Sequence, residues 1–419
     1  MRRTILNTTL AALAVTTGLV APTLAQELRM AIWSANEAHV ALFNEIADEY
    51  EASHPGVIVT YDSLAFDGYV TTLTTQIAGG NPPDLAWLFD TTAPDFMAAG
   101  ALYPLTETFA KTEGYDIADF PPATLTAWSR DGVQYLYPFS TSPFGIFVNN
   151  DMVRGAGAKA PAEMIAAGEW TWDNAIATAA TVATTGKQGL IVRDFDYKVW
   201  ANLASIYVGW GAKPWNDDTK SCAFNAPEMV AAMSFIHDAI FEKKALPGPG
   251  VSADFFAGDG AMTITQISRA SLLPKDAAAF DWDLVPLPSG PVGEYAWVGR
   301  AGIGVLANGK NPQLAADFLA FFSSRANVEK LARFFPPARQ SLLTTAILAG
   351  ANPLLSPEQI EAVVIRGVAT GQSSPQVQNF AQLDQAVRAA LDAMWQPEAD
   401  VAAVLQTVCD RTNPLLAAN

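Results

Sequence analysis

Polar side chains able to hydrogen-bond a small ligand follow three predicted strands in the first hundred residues. They come in pairs, which are Asn36 and Glu37, Asp62 and Ser63, and Asp90 and Thr91. Amides, carboxylates and hydroxyls supply the donors and acceptors that such a ligand needs. Asn and Asp are also the usual cap and turn residues, so each one taken alone is more simply explained by local structure. A common position at one sheet edge would favour a binding site.

Two arginines, Arg300 and Arg339, could bind an anion. A guanidinium holds a carboxylate or sulfonate through two parallel hydrogen bonds. Arg300 follows Trp297 and Gly299 within an apolar run, and Arg339 follows two prolines. The alternative is that each arginine pairs with a neighbouring acid.

Enzymatic and metal chemistry find little support in the sequence. The three histidines, His39, His54 and His237, show no metal-ligand spacing, and no phosphate-binding loop or nucleophile elbow is present. We expect no metal and no cofactor. A secreted glycoside hydrolase or lyase with a carboxylate pair stays open as the alternative, since two acids can come from anywhere in the chain.

The elements that would position the polar pairs follow a βαβαβ order. Strands are predicted at 27–33, 57–61 and 84–89, with helices between them over 40–50 and 68–77. This order predicts a parallel sheet flanked by helices, an α/β fold. Because ligands bind beyond the carboxyl ends of such strands, the three pairs are expected to meet.

The stretch 133–151 is predicted to cross between two lobes. Two β-rich runs are separated by Pro138 and Pro143 around a small polar triplet that contains Thr141 and Ser142. Since a proline cannot donate to a central ladder, we expect the triplet to be an exposed linker. The alternative is an ordinary hairpin with a polar loop.

Later segments supply the second half of the architecture. A strand over 261–265 ends in the polar residues Gln266 and Ser268, another strand covers 282–288, and the apolar run 295–306 is a candidate return crossing. The segment 197–215 is rich in large aromatics, which form either core or a platform for sugar rings. Residues 356–416 are helical by pattern.

Composition and the first residues indicate an exported chain whose partner is a small ligand rather than nucleic acid. Residues 1–25 resemble a signal peptide, with Arg2 and Arg3 before an apolar stretch and cleavage expected after about Ala25. The formal net charge of −17 argues against nucleic acid as a partner, and no later run is long enough for the chain to be embedded in a membrane. The two cysteines, Cys222 and Cys409, are expected to pair in an oxidising compartment.

Several ordered motifs resemble the periplasmic solute-binding proteins of ABC importers, specifically the carbohydrate-binding group that includes maltose-binding protein. The matching segments lie at 30–33, 80–84, 100–105, 137–138 with 147–151, 171–173, 260–264, and 304–306 with 311–312. The resemblance implies a type II fold of two α/β lobes that close on a ligand, and no catalysis. It implies a periplasmic, monomeric protein that delivers a sugar or sugar derivative to permease subunits.

The resemblance also implies domain boundaries and ligand contacts. The N-terminal lobe would hold residues 26–138 and about 297–340, and the C-terminal lobe residues 139–296 and about 341–419. Relatives place sugar contacts at positions that match Asn36, Glu37, Asp90 and Thr91, and a carboxylate at the position of Ser142. Many relatives carry a Gly-x-Trp where this chain has Gln266 and Ser268, so we assign the stacking role to Trp297 or Trp210. An acidic sugar or sulfosugar is one version of the ligand, because Arg300 or Arg339 could hold its charge.

Overall fold

The computed structural model describes residues 26–66, 68–193, 195, 197, 199–273 and 280–417. The predicted signal peptide lies outside these residues. Within them the chain forms ten strands: β1 (Gln26–Ile32), β2 (Val57–Ser63), β3 (Leu85–Phe89), β4 (Ser129–Arg130), β5 (Val133–Gln134), β6 (Leu136–Asn149), β7 (Gln188–Val192), β8 (Gly260–Gln266), β9 (Trp282–Val285) and β10 (Val298–Val305).

The α-helices of the same residues flank the sheets and fill the C-terminal part of the chain. They are α1 (Glu37–Ser53), α2 (Tyr69–Ala78), α3 (Ala93–Ala98), α4 (Thr106–Lys111), α5 (Pro122–Thr126), α6 (Asn150–Gly155), α7 (Pro161–Ala166), α8 (Trp172–Ala183), α9 (Ala204–Tyr207), α10 (Pro227–Phe241), α11 (Pro312–Phe322), α12 (Arg325–Leu331), α13 (Thr345–Ala351), α14 (Pro357–Gln359), α15 (Arg366–Thr370), α16 (Phe380–Leu391) and α17 (Val401–Leu416). No helix of the described residues is long and apolar enough to span a bilayer.

The first sheet has the order β2-β1-β3-β10-β6. Strand β1 pairs in parallel with β2 and β3, which confirms the βαβαβ prediction. Strand β10 returns antiparallel between β3 and the first half of β6. Because β1, β2 and β3 point the same way, their carboxyl ends lie along one edge of the sheet.

Asp84 fixes the start of β3 against its two neighbours. Its buried carboxylate accepts one hydrogen bond from the backbone N–H of Arg29, at 2.9 Å, and another from that of Lys310, also at 2.9 Å. Arg29 lies on β1, and Lys310 follows β10. The side chain therefore ties three strands together at the edge opposite the carboxyl ends of β1 and β3.

The crossing strand β6 differs from the prediction of an exposed linker. Residues 136–149 form one continuous strand, and Ser140, Thr141 and Ser142 are all buried. The prolines are tolerated because, of the described strands, only β10 pairs with the first half of β6, so a proline nitrogen can face away from the ladder. A register shift in β10 between Ala301 and Gly302 accompanies this irregular pairing.

The second half of β6 enters another sheet. It pairs antiparallel with β8 on one side and β9 on the other, and β7 joins β8 in parallel. The strand predicted over 261–265 is confirmed as β8. Since Gln266 at the end of β8 pairs with Phe144 just past the crossing, the carboxyl ends of β7 and β8 face the first sheet.

Each sheet is covered by its own apolar core. One core draws on residues from 28 to 139 and from 301 to 342, which we call the N-terminal lobe. Another draws on residues from 144 to 297 and from 377 to 416, which we call the C-terminal lobe. A smaller core covers the other face of the second sheet. The boundaries given under Sequence analysis stay a prediction.

The predicted disulfide is confirmed and belongs to the C-terminal lobe. Cys222 and Cys409 are bonded across 187 residues. The bond joins α17 to the chain just before α10, and Cys409 is almost fully buried. The C-terminal helices are therefore covalently held to the second lobe.

Candidate functional site

Seven of the predicted ligand-binding residues come together where the two crossing strands meet the strand ends of both lobes. On the crossing strands, Arg300 pairs with Thr141 and Gly299 with Ser142. The amide of Asp90 lies 3.4 Å from the carbonyl of Arg300. We call this set the crossing site: Asp90, Thr91, Thr141, Ser142, Gln266, Gly299 and Arg300.

Arg300 is the cation of the crossing site. Its side chain is half-buried, and among the described residues its guanidinium makes no hydrogen bond and no ion pair within 4 Å. The neighbouring Gly299 lies close to the other lobe, since a Cβ at this position would make an ordinary van der Waals contact of 3.7 Å with the Gln266 amide nitrogen. The donors of Arg300 are therefore available to a ligand.

Asp90 is the acid nearest to that guanidinium. It follows β3 directly and is buried, with 8% of its surface exposed. Burial raises the pKa of its carboxyl from 3.8 to about 7, while the positive charge of Arg300 and the backbone N–H groups of Thr91 and Asp90 lower it in part. Near neutral pH the carboxyl is thus close to half protonated, and its negative charge cancels only part of the charge of Arg300.

Ser142 offers an unused hydroxyl at the base of the site. Its Oγ is buried and has no hydrogen-bond partner among the described residues. A buried hydroxyl without a partner costs free energy, so natural structures satisfy such groups or use them. A ligand hydroxyl or anionic oxygen above the crossing would satisfy it.

An aromatic cluster that sequence reasoning missed stands beside the crossing site. The rings of Trp33 and Phe89 are stacked with centroids 4.2 Å apart, and Phe66 meets Trp33 edge-on at 6.3 Å. These residues end or follow β1, β3 and β2, and all three are half-buried. The available signal was that Trp33 and Phe89 are the last residues of predicted strands. Exposed aromatic faces at this edge can stack on the C–H face of a sugar.

Asn36, Glu37 and Ser268 lie at the boundary between the lobes. The Asn36 amide oxygen caps α1 by accepting from the N–H groups of Ala38 and His39, and its nitrogen donates to Ser271 of the C-terminal lobe at 3.1 Å. Glu37 is exposed in the first turn of α1. The Ser268 carbonyl accepts from Ser271. The polar atoms of Asn36 are thus already engaged.

Arg339 is buried in the N-terminal lobe, away from the crossing. Its guanidinium is 1% exposed and donates to the carbonyls of Tyr115, at 2.6 Å, Asp116, at 3.1 Å, and Ser323, at 3.2 Å. It also lies over the rings of Tyr115 and Phe120. These contacts account for most of its donors, so Arg339 stabilises the lobe.

The two tryptophans predicted to stack on a ligand pack into the C-terminal lobe. Trp297 is 6% exposed within its core. Trp210 packs on the same core and meets Phe235 with ring centroids 4.7 Å apart. The aromatic segment 197–215 is likewise mostly core, as shown by the buried rings of Trp200, Tyr207 and Trp215.

A polar cavity of about 280 Å³ lies beside the carboxyl end of β7. Its lining includes Arg193, Tyr197, Asp254 and Thr263, and Arg193 forms an ion pair with Asp254 at 3.1 Å. Because β7 and β8 are parallel, the cavity opens on the same edge of the second sheet as Gln266. Within the described part of the chain, no group of acids, histidines or cysteines could hold a metal ion.

Comparison with known proteins matches this architecture. The family model of bacterial extracellular solute-binding proteins matches residues 34–329. A binding protein of Brucella abortus (strain 2308) is 24% identical over 364 residues, which are 82% of this chain and 85% of the relative. An ABC substrate-binding protein from Listeria monocytogenes, solved with cycloalternan, superposes with a TM-score of 0.80 at 23% identity, over 94% of this chain and 99% of that one. UgpB from Mycobacterium tuberculosis, solved with glycerophosphocholine, superposes with a TM-score of 0.77 at 17% identity, over 94% of this chain and 99% of that one.

Proposed function

Since the chain belongs to the bacterial extracellular solute-binding proteins, we propose that it captures a sugar derivative carrying an anionic group and delivers it to the permease of an ABC importer. The observation that carries the anionic part is Arg300, a half-buried guanidinium on a crossing strand whose donors are unused among the described residues. The glycoside hydrolase alternative has no observation in its favour.

The charge balance of the crossing site favours an anion over a neutral ligand. A cation left without a counter-charge in a partly buried site is costly, and an incoming carboxylate, sulfonate or phosphate would supply that charge. Asp90 offers only part of it, because burial raises the pKa of its carboxyl to about 7. An anion on Arg300 would raise that pKa further, so Asp90 could then donate a hydrogen bond as a neutral acid.

The remaining groups fit the neutral part of a sugar derivative. The hydroxyls of Thr141 and Ser142, the carboxyl of Asp90 and the amide of Gln266 surround the crossing, while Trp33 and Phe89 offer an apolar face. Solved proteins with this fold were crystallised with cycloalternan and with glycerophosphocholine, and the latter carries a phosphodiester. Both kinds of group are therefore compatible with the fold.

Closure of the lobes on a ligand would follow from the geometry of the strands that join them. Two of the segments that join the lobes are β6 and β10, which pass through the crossing site itself. A ligand that contacts both the strand ends of the first sheet and Gln266 of the second binds the closed arrangement more tightly, and it shifts the population towards that arrangement. We place the mature protein in the periplasm.

Thermal-shift screening tests this proposal. The purified chain is mixed with neutral sugars, polyols, uronic acids, sulfosugars and sugar phosphates, and a ligand present at a hundred times its Kd stabilises the folded state by about 2.7 kcal/mol. We expect the largest rise in Tm from an anionic class. No rise with any class, or turnover of a sugar at catalytic protein concentrations, would contradict a binding function.

Arg300 substitutions then separate anion binding from sugar binding. Arg300→Ala should weaken the anionic ligand by about 10- to 100-fold, which corresponds to one charged hydrogen-bonded pair. Arg300→Lys should recover only part of this, because an ammonium cannot form the two parallel bonds. Arg154→Ala, which removes an exposed arginine paired with Asp281, is the matched control and should leave affinity unchanged. Equal affinity of wild type and Arg300→Ala would refute the anionic assignment.

A further inference from the structure

Ser271 connects the two lobes through hydrogen bonds outside the crossing site. It lies on the 3₁₀ turn Ile267–Leu272 that follows β8 in the C-terminal lobe. Its Oγ is 3.1 Å from Nδ2 of Asn36 and 3.2 Å from Nε2 of His39, both in the N-terminal lobe. These three side chains, which we call the lobe contact, can meet only when the lobes are close together.

The donors and acceptors of the lobe contact are satisfied by a neutral imidazole. The Ser271 hydroxyl donates to the carbonyl of Ser268 at 2.9 Å, so its oxygen accepts from Asn36 and from the Nε2–H of His39. His39 Nδ1 then accepts from the Ser34 hydroxyl at 2.9 Å. A second proton, on Nδ1, would place two donors face to face and force the Ser34 hydroxyl to turn away.

The surroundings of His39 also disfavour a positive charge. The side chain is 6% exposed, and its ring packs 4.6 Å from Phe334 and 4.9 Å from Phe335. Burial, and then the charge of Arg269 on the same turn as Ser271, lower its pKa from 6.5 to about 4. Among the described residues, no carboxylate forms an ion pair with His39. Arg333 is a further cation beside this packing and lies over the Phe334 ring.

We propose that the lobe contact is a proton-sensitive closure contact, which holds the lobes together while His39 is neutral and favours the open arrangement once His39 is protonated. Opening carries Ser271 and Arg269 away with the C-terminal lobe and admits water to the ring. This inference rests on the proposed function, since it assigns to the lobe contact the control of a cleft that closes on its ligand.

The direction of the pH effect follows from linkage. A histidine whose pKa is lower in the closed form binds more protons in the open form, so closure is favoured above the ordinary value of 6.5 and is weakened as the pH falls below it. If opening restores most of the ordinary pKa, the ratio of closed to open protein falls about tenfold or more between pH 7.5 and pH 5.

Distances between spin labels on the two lobes test the proposal without any ligand. Cysteines introduced at two exposed isoleucines, Ile58 on β2 and Ile165 on α7, can be labelled selectively because both native cysteines are in the disulfide. Pulsed paramagnetic resonance at pH 7.5 and pH 5 then gives the closed and open populations. We expect the closed population of the wild type to fall on acidification.

Variants identify the groups responsible. His39→Gln keeps a donor but cannot be protonated near pH 5, so its closed population should not change between the two pH values. Ser271→Ala should lower the closed population already at pH 7.5, whereas Ser53→Ala, which loses a hydroxyl that contacts only the C-terminal end of α1 and the adjacent His54, should match the wild type. A wild type without a pH-dependent population, a His39→Gln variant that follows the wild type, or an unchanged Ser271→Ala variant would each overturn the proposal. A failed ligand screen would count against the proposed function alone.

Discussion

Replacing Asp90 by asparagine should remove a pH-dependent cost of folding. Its carboxyl has an ordinary pKa of 3.8 and a pKa of about 7 in the folded chain. Between these values the folded form holds a proton that the unfolded form has lost, so the stability contributed by this group is present below pH 3.8 and is lost as the pH rises through about 7. Three pKa units correspond to about 4 kcal/mol.

Urea denaturation of wild type and Asp90→Asn at several pH values between 4.5 and 8 measures this cost. As the pH rises across this range, the free energy of unfolding of the variant relative to that of the wild type should increase by about 2 to 4 kcal/mol, since asparagine has no charge to bury. Asp131→Asn, which changes an exposed acid, should show the same pH dependence of the unfolding free energy as the wild type. If Asp90→Asn also showed that pH dependence, the buried carboxyl would not have the raised pKa on which the charge balance of the crossing site depends.

Three further changes test other parts of the structure. Asp84→Ala leaves two backbone N–H groups without their acceptor and should destabilise the fold by about 2 to 4 kcal/mol. Asp218→Ala, on an exposed turn, is the control and should have little effect. Chemical denaturation measures the stability of both variants. Cys222→Ser with Cys409→Ser should cost about 4 to 5 kcal/mol of stability by the same assay, because the lost bond closes a loop of 187 residues in the unfolded chain. Trp33→Ala should weaken the best ligand of the thermal-shift screen at least about tenfold in calorimetry, with Trp282→Ala on β9 as the control.

Much of the fold could be predicted because local patterns and topology agree. Three apolar runs separated by two helical patterns predict a parallel sheet. Because ligands bind beyond the carboxyl ends of parallel strands, this sheet in turn predicts the position of the candidate site. The prediction that residues 140–142 form an exposed linker was wrong, because a proline excludes a central position in a strand ladder but not an edge position. Whether 136–143 lies at an edge depends on which strands flank it, and that is a property of the whole sheet.

The site could be predicted only in part, because spacing does not show how a side chain is already engaged. Arg300 and Arg339 look alike in the sequence, yet one has unused donors at the crossing and the other binds three carbonyls inside a lobe. The distinction depends on segments more than 200 residues apart. Trp33 was overlooked for the opposite reason, since a tryptophan at the end of an apolar strand is most simply explained as core.

Asn36 shows how binding and closure divide the same sheet edge. Its oxygen caps α1 and its nitrogen donates to Ser271, so a residue predicted to bind the ligand is engaged by its own helix and by the other lobe. Asp90, at the equivalent place after β3, is joined to Arg300 and the crossing. One strand end of the N-terminal lobe thus holds part of the proposed anion-binding site, while another holds part of the lobe contact. The Asp90 carboxyl and the His39 imidazole titrate in different ranges, about pH 7 for Asp90 and between about pH 4 and 6.5 for His39. Their effects on ligand binding can therefore be separated by pH alone.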